Sequence, residues 1–305
     1  MHKRILIVAV GEMPPDWLLD KAQRLGASGA AVRVELFPSS HLLDCCSQPP
    51  DALADAVQFQ LLAVMEQQRQ TCQRQFPTLD ISIEINSLPL SSAAIAAAAD
   101  RFDPGIVLKA CRQHHRLDQH LIGHVDWALM RLVPVPLLLA RPGKWTEAPR
   151  LLVAVDPLRA HGQPSGLDDA VLSASKGLAL TLGGNLELLH SYQPLPAAVI
   201  LDDALMMDFR RLQRRMAGEH REAMRAFVDR HSLAAETTVH LLEGEPAKEI
   251  ARFANAQSVD VAALGIVDRS GIEDLILGST AEALLDLVHC DLLIVPLPRD
   301  GRSVT

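Results

Sequence analysis

Residues 5–11, "ILIVAVG", and residues 151–156, "LLVAVD", resemble one another across nearly half the chain. Each run is too short for a buried helix. Each is rich in β-branched residues and leads into turn formers, so each reads as a strand buried in a parallel sheet. A second pair follows the same plan: "VPVPLLLARP" (133–142) and "HCDLLIVPLP" (289–298). Gly11 and Asp156 lie 145 residues apart, Leu137 and Leu292 155 apart, so the later copy carries about ten extra residues. The chain is therefore one plan written twice, which fixes the domain count before any other feature is weighed.

Working outward from these strands, helix and strand alternate. In the first copy the pattern predicts helices over 16–26, 50–76, 91–101 and 121–132, with strands at "AAVRVELF", "DISIEI" and "GIVLKA". In the second it predicts helices over 167–182, 202–231, 246–256 and 279–288, with strands at "NLELLHSY", "TTVHLLEG" and "VDVAALG". Such alternation means right-handed crossovers and a parallel sheet covered on both faces. The fold class is α/β: two tandem, five-stranded, doubly wound domains, at 1–142 and 149–305. The segment "RPGKWTEAPR" (141–150), with two prolines and a glycine, reads as the linker.

Composition narrows the function. The chain has 305 residues, 49% hydrophobic and only 4% aromatic, so its cores are aliphatic. A formal net charge of −8 argues against general nucleic-acid binding, which needs a basic face. No run approaches the ~20 apolar residues that span a bilayer. Five cysteines without CxxC spacing point to a reducing compartment, and the N-terminal run lacks the length and cleavage site of a signal peptide. A cytoplasmic, soluble protein is the expectation.

The candidate ligand site is "LGIVDRSGIEDLILGSTAEALL" (264–285). The strand before it ends at Gly265, and Gly278 precedes Ser279 and Thr280 where a helix begins. Free N–H groups and the positive dipole end at that start suit an anion. Glu282, three residues beyond Ser279, would complete a capping box. The same letters also describe an ordinary capped helix with turn glycines, since loose glycine spacing is weak on its own.

Gly265-x2-Asp268-x9-Gly278-Ser279 resembles the universal stress protein pattern, glycine-x2-glycine-x9-glycine-(Ser/Thr/Asn). The wider stretch 263–297 is similar to the same family, and 106–139 is similar to the first-domain stretch of its tandem type. The resemblance implies two flavodoxin-like domains whose last strands pair across a pseudo-twofold. It also implies stress-response binding or regulation, with an adenine nucleotide (ATP or AMP, with magnesium an option) in the second domain. It places the adenine- and ribose-side acid at Asp156 and the phosphate loop at Gly265, Gly278, Ser279 and, through its backbone, Thr280. Asp268 departs from the pattern by replacing a glycine. A carboxylate at ~4 Å from a phosphate costs about 4 kcal/mol at an effective dielectric near 20, unless Arg269 or magnesium compensates. The first copy departs further: Gly11 stands where the acid belongs, and its loop lacks the glycines, so no nucleotide is expected there.

Three other features carry alternative readings. His114, His120 and His124, with His115, Cys111 and Asp118 nearby, would suit zinc or nickel, or form a titrating surface loop without metal. The arginine-rich stretch 209–227 reads as an amphipathic helix with solvated arginines, and 195–207 with its Leu and Met rims could frame a pocket for an apolar ligand. Cys290 reads as a buried small hydrophobe. The rival functions are a scaffold holding a hydrophobic ligand and a slow ATP hydrolase, the latter weakened by the lack of a Walker lysine. One chain supplies both halves of the family's usual dimer, so a monomer with an internal pseudo-dimer is expected, with further self-association open.

Overall fold

A computed structural model describes residues 1–38, 51–86, 90–111, 126, 129–130, 133–158, 166–194, 203–234, 237–266 and 279–297, with backbone alone at 51–62, 92, 203–205 and 279. The first half contains β1 (His2–Val10), α1 (Asp16–Leu25), β2 (Gly26–Phe37), α2 (Asp51–Gln75), β3 (Leu79–Ile85), α3 (Ser92–Phe102), β4 (Ile106–Ala110) and β5 (Leu137–Ala140). The second contains β6 (Arg150–Ala154), α4 (Leu167–Leu182), β7 (Asn185–Tyr192), α5 (Asp203–Arg230), β8 (Thr238–Glu243), α6 (Pro246–Ala256), β9 (Val261–Ile266), α7 (Ser279–Leu287) and β10 (Asp291–Pro296). No helix among the described residues is long and apolar enough to cross a membrane.

All ten strands form one sheet in the order β3-β2-β1-β4-β5-β10-β9-β6-β7-β8. Read inward from either edge, the order is the same, which is the doubled plan made visible. Every pairing within a half is parallel. The join is antiparallel, with Leu139, Leu138 and Leu137 opposite Leu292, Leu293 and Ile294. The chain thus has two tandem flavodoxin-like domains whose last strands meet across a pseudo-twofold.

Local chemistry explains the element ends. Ser91 caps α3 by accepting from the Ala94 N–H at 3.2 Å. Gly183 ends α4 in the left-handed conformation with its N–H on the Ala179 carbonyl. Pro246 opens α6, where a missing N–H costs nothing. β5 is shorter than the apolar run 133–142 suggests, because Pro134 and Pro136 cannot donate to a ladder.

Successive strand residues point to opposite faces, so two aliphatic cores form. One holds Ile5, Ile7, Leu138, Leu151, Val153 and Leu293; the other holds Leu6, Val8, Leu137, Leu139, Leu152 and Leu292. Both cores run through the join, so the halves share their interior.

The expected linker is built into that join rather than hung outside it. Arg141 and Trp145 are buried. Asp291 of β10 accepts from Lys21 Nζ of α1 at 2.7 and 2.9 Å, the Arg141 N–H at 2.8 Å and Trp145 Nε1 at 2.8 Å. Burial holds the Asp291 carboxyl above its ordinary range. The four donated bonds and the Lys21 charge offset part of that desolvation. Arg24 then donates to the carbonyls of Trp145, Thr146 and Glu147. Proline and glycine marked a break in periodicity; they did not mark a loose segment.

Candidate functional site

Strand order reverses between β6 and β9, whose parallel ladder pairs Leu151, Leu152 and Val153 with Val261, Ala262 and Ala263. In an open α/β sheet the crevice beyond the strand ends at such a reversal is where ligands bind. Continuing the register brings Val155 level with Gly265, and Asp156 stands two residues past the end of β6. The Asp156 N–H donates to Asp168 Oδ1, in the first turn of α4, at 3.2 Å. α7 begins at Ser279 after β9, and Thr280 and Glu282 lie in its first turn. Asp156, Gly265 and the start of α7 therefore converge on one end of the sheet. Asp268 and Gly278 lie outside the described residues, as does the Ser279 side chain.

Gly265 has a packing reason of its own. A Cβ built there would stand 2.5 Å from Leu167 Cγ and 2.8 and 2.9 Å from its two methyls. Leu167, at the first position of α4, is buried, so the glycine lets α4 approach β9 at the edge of the crevice. Its backbone needs no left-handed conformation.

Behind Asp156 runs a polar chain that sequence reading did not single out. His190 of β7 has Nδ1 2.9 Å from the Val155 carbonyl and 3.9 Å from Asp156 Oδ1. Its Nε2 lies 2.8 Å from His220 Nδ1 on α5. The Tyr192 ring stacks on His220 with centroids 4.1 Å apart, and the Tyr192 hydroxyl donates to Glu243 at 2.7 Å. Burial pulls His190 below its ordinary value against the pull of the Val155 carbonyl and Asp156. Burial and the neighbouring His190 lower His220 likewise. Burial, with Glu243 facing the hydroxyl, pushes Tyr192 up to about 12. Two hydrogen-bonded imidazoles that both resist protonation share a single bridging proton, so one donates while the other accepts. The only local hint was a histidine inside the strand "NLELLHSY"; its partner lies 30 residues on.

The first half presents a different interior at the matching place. With the 155-residue offset, Gly265 answers to Ala110, Leu264 to Lys109 and Ala281 to Asp126. Lys109 Nζ and Asp126 Oδ1 are 2.6 Å apart and both side chains are buried. An apolar strand-to-helix contact in one half is thus an ion pair in the other. Gly11, at the position of Asp156, adopts φ 74°. His114, His120 and His124 lie outside the described residues; among the described residues no three His, Cys, Asp or Glu side chains gather as a metal site. Cys290 is buried, and burial pushes its thiol up to about 12.

Residues 148–296 match the family described as "Usp: Universal stress protein family". The chain is 28% identical to the universal stress protein E homolog of Haemophilus influenzae over 64% of its own length and 63% of the relative's. It is likewise 28% identical to universal stress protein E of Escherichia coli K12 over 62% of this chain and 60% of that one. The match thus spans about three fifths of those relatives. Among solved structures, a universal stress protein of Archaeoglobus fulgidus superposes with a TM-score of 0.61 at 16% identity, covering 97% of both chains. A Pseudomonas aeruginosa UCBPP-PA14 protein assigned to the same group superposes at 0.71 and 20%, covering 97% of this chain and 94% of that one. At such identities the structures speak for the fold alone, and the sequence matches speak for kinship. With the reversed strand order and the mirrored halves beside that match, residues 148–296 form a domain of the universal stress protein family.

Proposed function

We propose that the chain is a stress-response binding and regulatory protein whose second domain, within 149–305, receives an adenine nucleotide in the crevice between β6 and β9. The first domain, within 1–142, serves as its structural counterpart without nucleotide. The observation that carries this reading is the convergence of Asp156, Gly265 and the start of α7 on the carboxyl ends of two parallel strands at the strand-order reversal. Asp156 would accept from the sugar or base, and the first amides of α7, with the Ser279 hydroxyl and the Gly278 backbone, would receive phosphate oxygens. Magnesium would offset Asp268 where that carboxylate nears the phosphates. In the first domain, the Lys109–Asp126 pair occupies the corresponding strand-to-helix contact.

Calorimetric titration of ATP, with and without magnesium, tests the reading. Saturable binding lost in Asp156→Ala and in Gly278→Val is expected. Asp268→Gly should tighten it by tenfold or more, since a removed repulsion of about 4 kcal/mol at the limit equals some three orders of magnitude. A flat titration of the wild-type chain at millimolar ATP removes the nucleotide from the account.

A further inference from the structure

One strand along from β6, at the carboxyl ends of β7 and β8, the second domain holds a cavity of about 490 Å³. Its walls are one face of α5, with Met207, Arg210, Gln213, Arg214, Met216 and Ala217, and the strand-edge residues Tyr192, Pro194 and Glu243. That volume falls in the range of small-molecule sites. The lining divides by chemistry: the methionines, proline, alanine and tyrosine ring are apolar, and two guanidiniums stand one helical turn apart.

The arginines of α5 differ in their partners. Arg211 faces Asp208, Arg215 pairs with Glu219 and Arg230 pairs with Asp169. Arg210 and Arg214, the two that line the cavity, have no carboxylate within ion-pair distance among the described residues. Side chains four apart on a helix share a face, so both guanidiniums can reach one anionic group, and a planar fork binds a carboxylate through paired hydrogen bonds. Among the described residues Glu243 supplies the one acidic side chain of the lining, and its Oε1 is engaged by the Tyr192 hydroxyl. The described lining carries one net positive charge. Met207 is half exposed beside it, an apolar side chain that a bound body would cover.

We propose that this cavity is a second ligand site, lined by none of the residues named for the nucleotide crevice, which takes a small amphiphilic anion: a carboxylate held by Arg210 and Arg214 on an apolar body packed against Met207, Met216, Pro194 and Tyr192. The proposal does not rest on nucleotide binding. Its lining includes neither Asp156 nor any residue of α7.

Calorimetry with decanoate, kept well below its micellar range, decides it, with decylamine and 1-decanol as cationic and neutral partners of equal length. One saturating equivalent of decanoate is expected, with decylamine and decanol each at least tenfold weaker. The Arg210→Gln/Arg214→Gln variant should lose at least tenfold toward decanoate; both side chains are exposed, so its melting temperature should stay near wild type. Ala217→Trp, which fills the cavity from α5, should abolish binding while leaving ATP titration unchanged. No saturable decanoate binding, equal binding of decylamine, or full affinity in either variant overturns the proposal.

Discussion

Replacing Gly265 by alanine separates two roles that the same glycine could play. The added methyl would meet Leu167 Cγ at 2.5 Å and both Leu167 methyls within 2.9 Å. The branch carbon itself is in the way, so no swing of a flexible tip relieves the contact. Because the Gly265 backbone lies outside the left-handed region, alanine suffers no conformational penalty there. Overpacking of this kind costs about 1–3 kcal/mol, reduced by the ~0.4–1 kcal/mol that alanine takes from unfolded-chain entropy. For a chain of this length, 1 kcal/mol corresponds to roughly 1.5 °C in melting temperature. Leu167→Ala alone should cost about 2–5 kcal/mol, because it empties a buried site. The double variant should be better than the sum by about 1–2 kcal/mol, since the alanine methyl then enters the space that Leu167 leaves. Urea denaturation of all four proteins, read at unchanged m, measures this coupling. Strict additivity within about 0.5 kcal/mol, together with a Gly265→Ala protein of wild-type stability, refutes the packing argument. Loss of ATP binding in such a fully stable variant would assign the glycine to the ligand instead.

Other predictions follow from the buried polar groups. Lys21→Met strips Asp291 of its counter-charge inside the join and should cost about 3–5 kcal/mol, part of it recovered when Asp291→Asn is added, as chemical denaturation would show. Acid should weaken the fold through His190 and His220. Both sit below their ordinary value of 6.5, so the unfolded chain takes up protons that the native chain refuses. Stability is then full above pH 6.5 and falls as pH drops below it. Denaturation at pH 7.5, 6.5 and 5.5 should show a slope that His220→Gln reduces. Burial pushes Cys111 up to about 11 and Cys290 up to about 12, so peptide mapping after alkylation of the native protein at pH 8 should find both unmodified.

The elements themselves were legible because their signals are local. The alternation of helix and strand patterns predicted Leu167–Leu182, Pro246–Ala256 and Asn185–Tyr192 to the residue. Repetition at two offsets, 145 and 155 residues, announced two copies of one fold. The switch-point crevice was legible in part, since Asp156 follows the end of β6 by two residues and Gly265 is the next-to-last residue of β9.

What tertiary structure alone decided lies between residues far apart in the chain. Lys21 meets Asp291 across 270 positions, and that contact turns an expected linker into the centre of a shared core. Leu167 explains Gly265 from almost a hundred residues away. His190 and His220, and the cavity shared by Tyr192 and Arg214, form only when α5 lies against the end of β7. Hydrophobic period and turn chemistry are properties of neighbours in sequence, so the letters alone determine helices, strands and their doubling. The burial of a charge, the company of an imidazole and the shape of a cavity depend on which surfaces the sheet brings together, and those exist only in the folded chain.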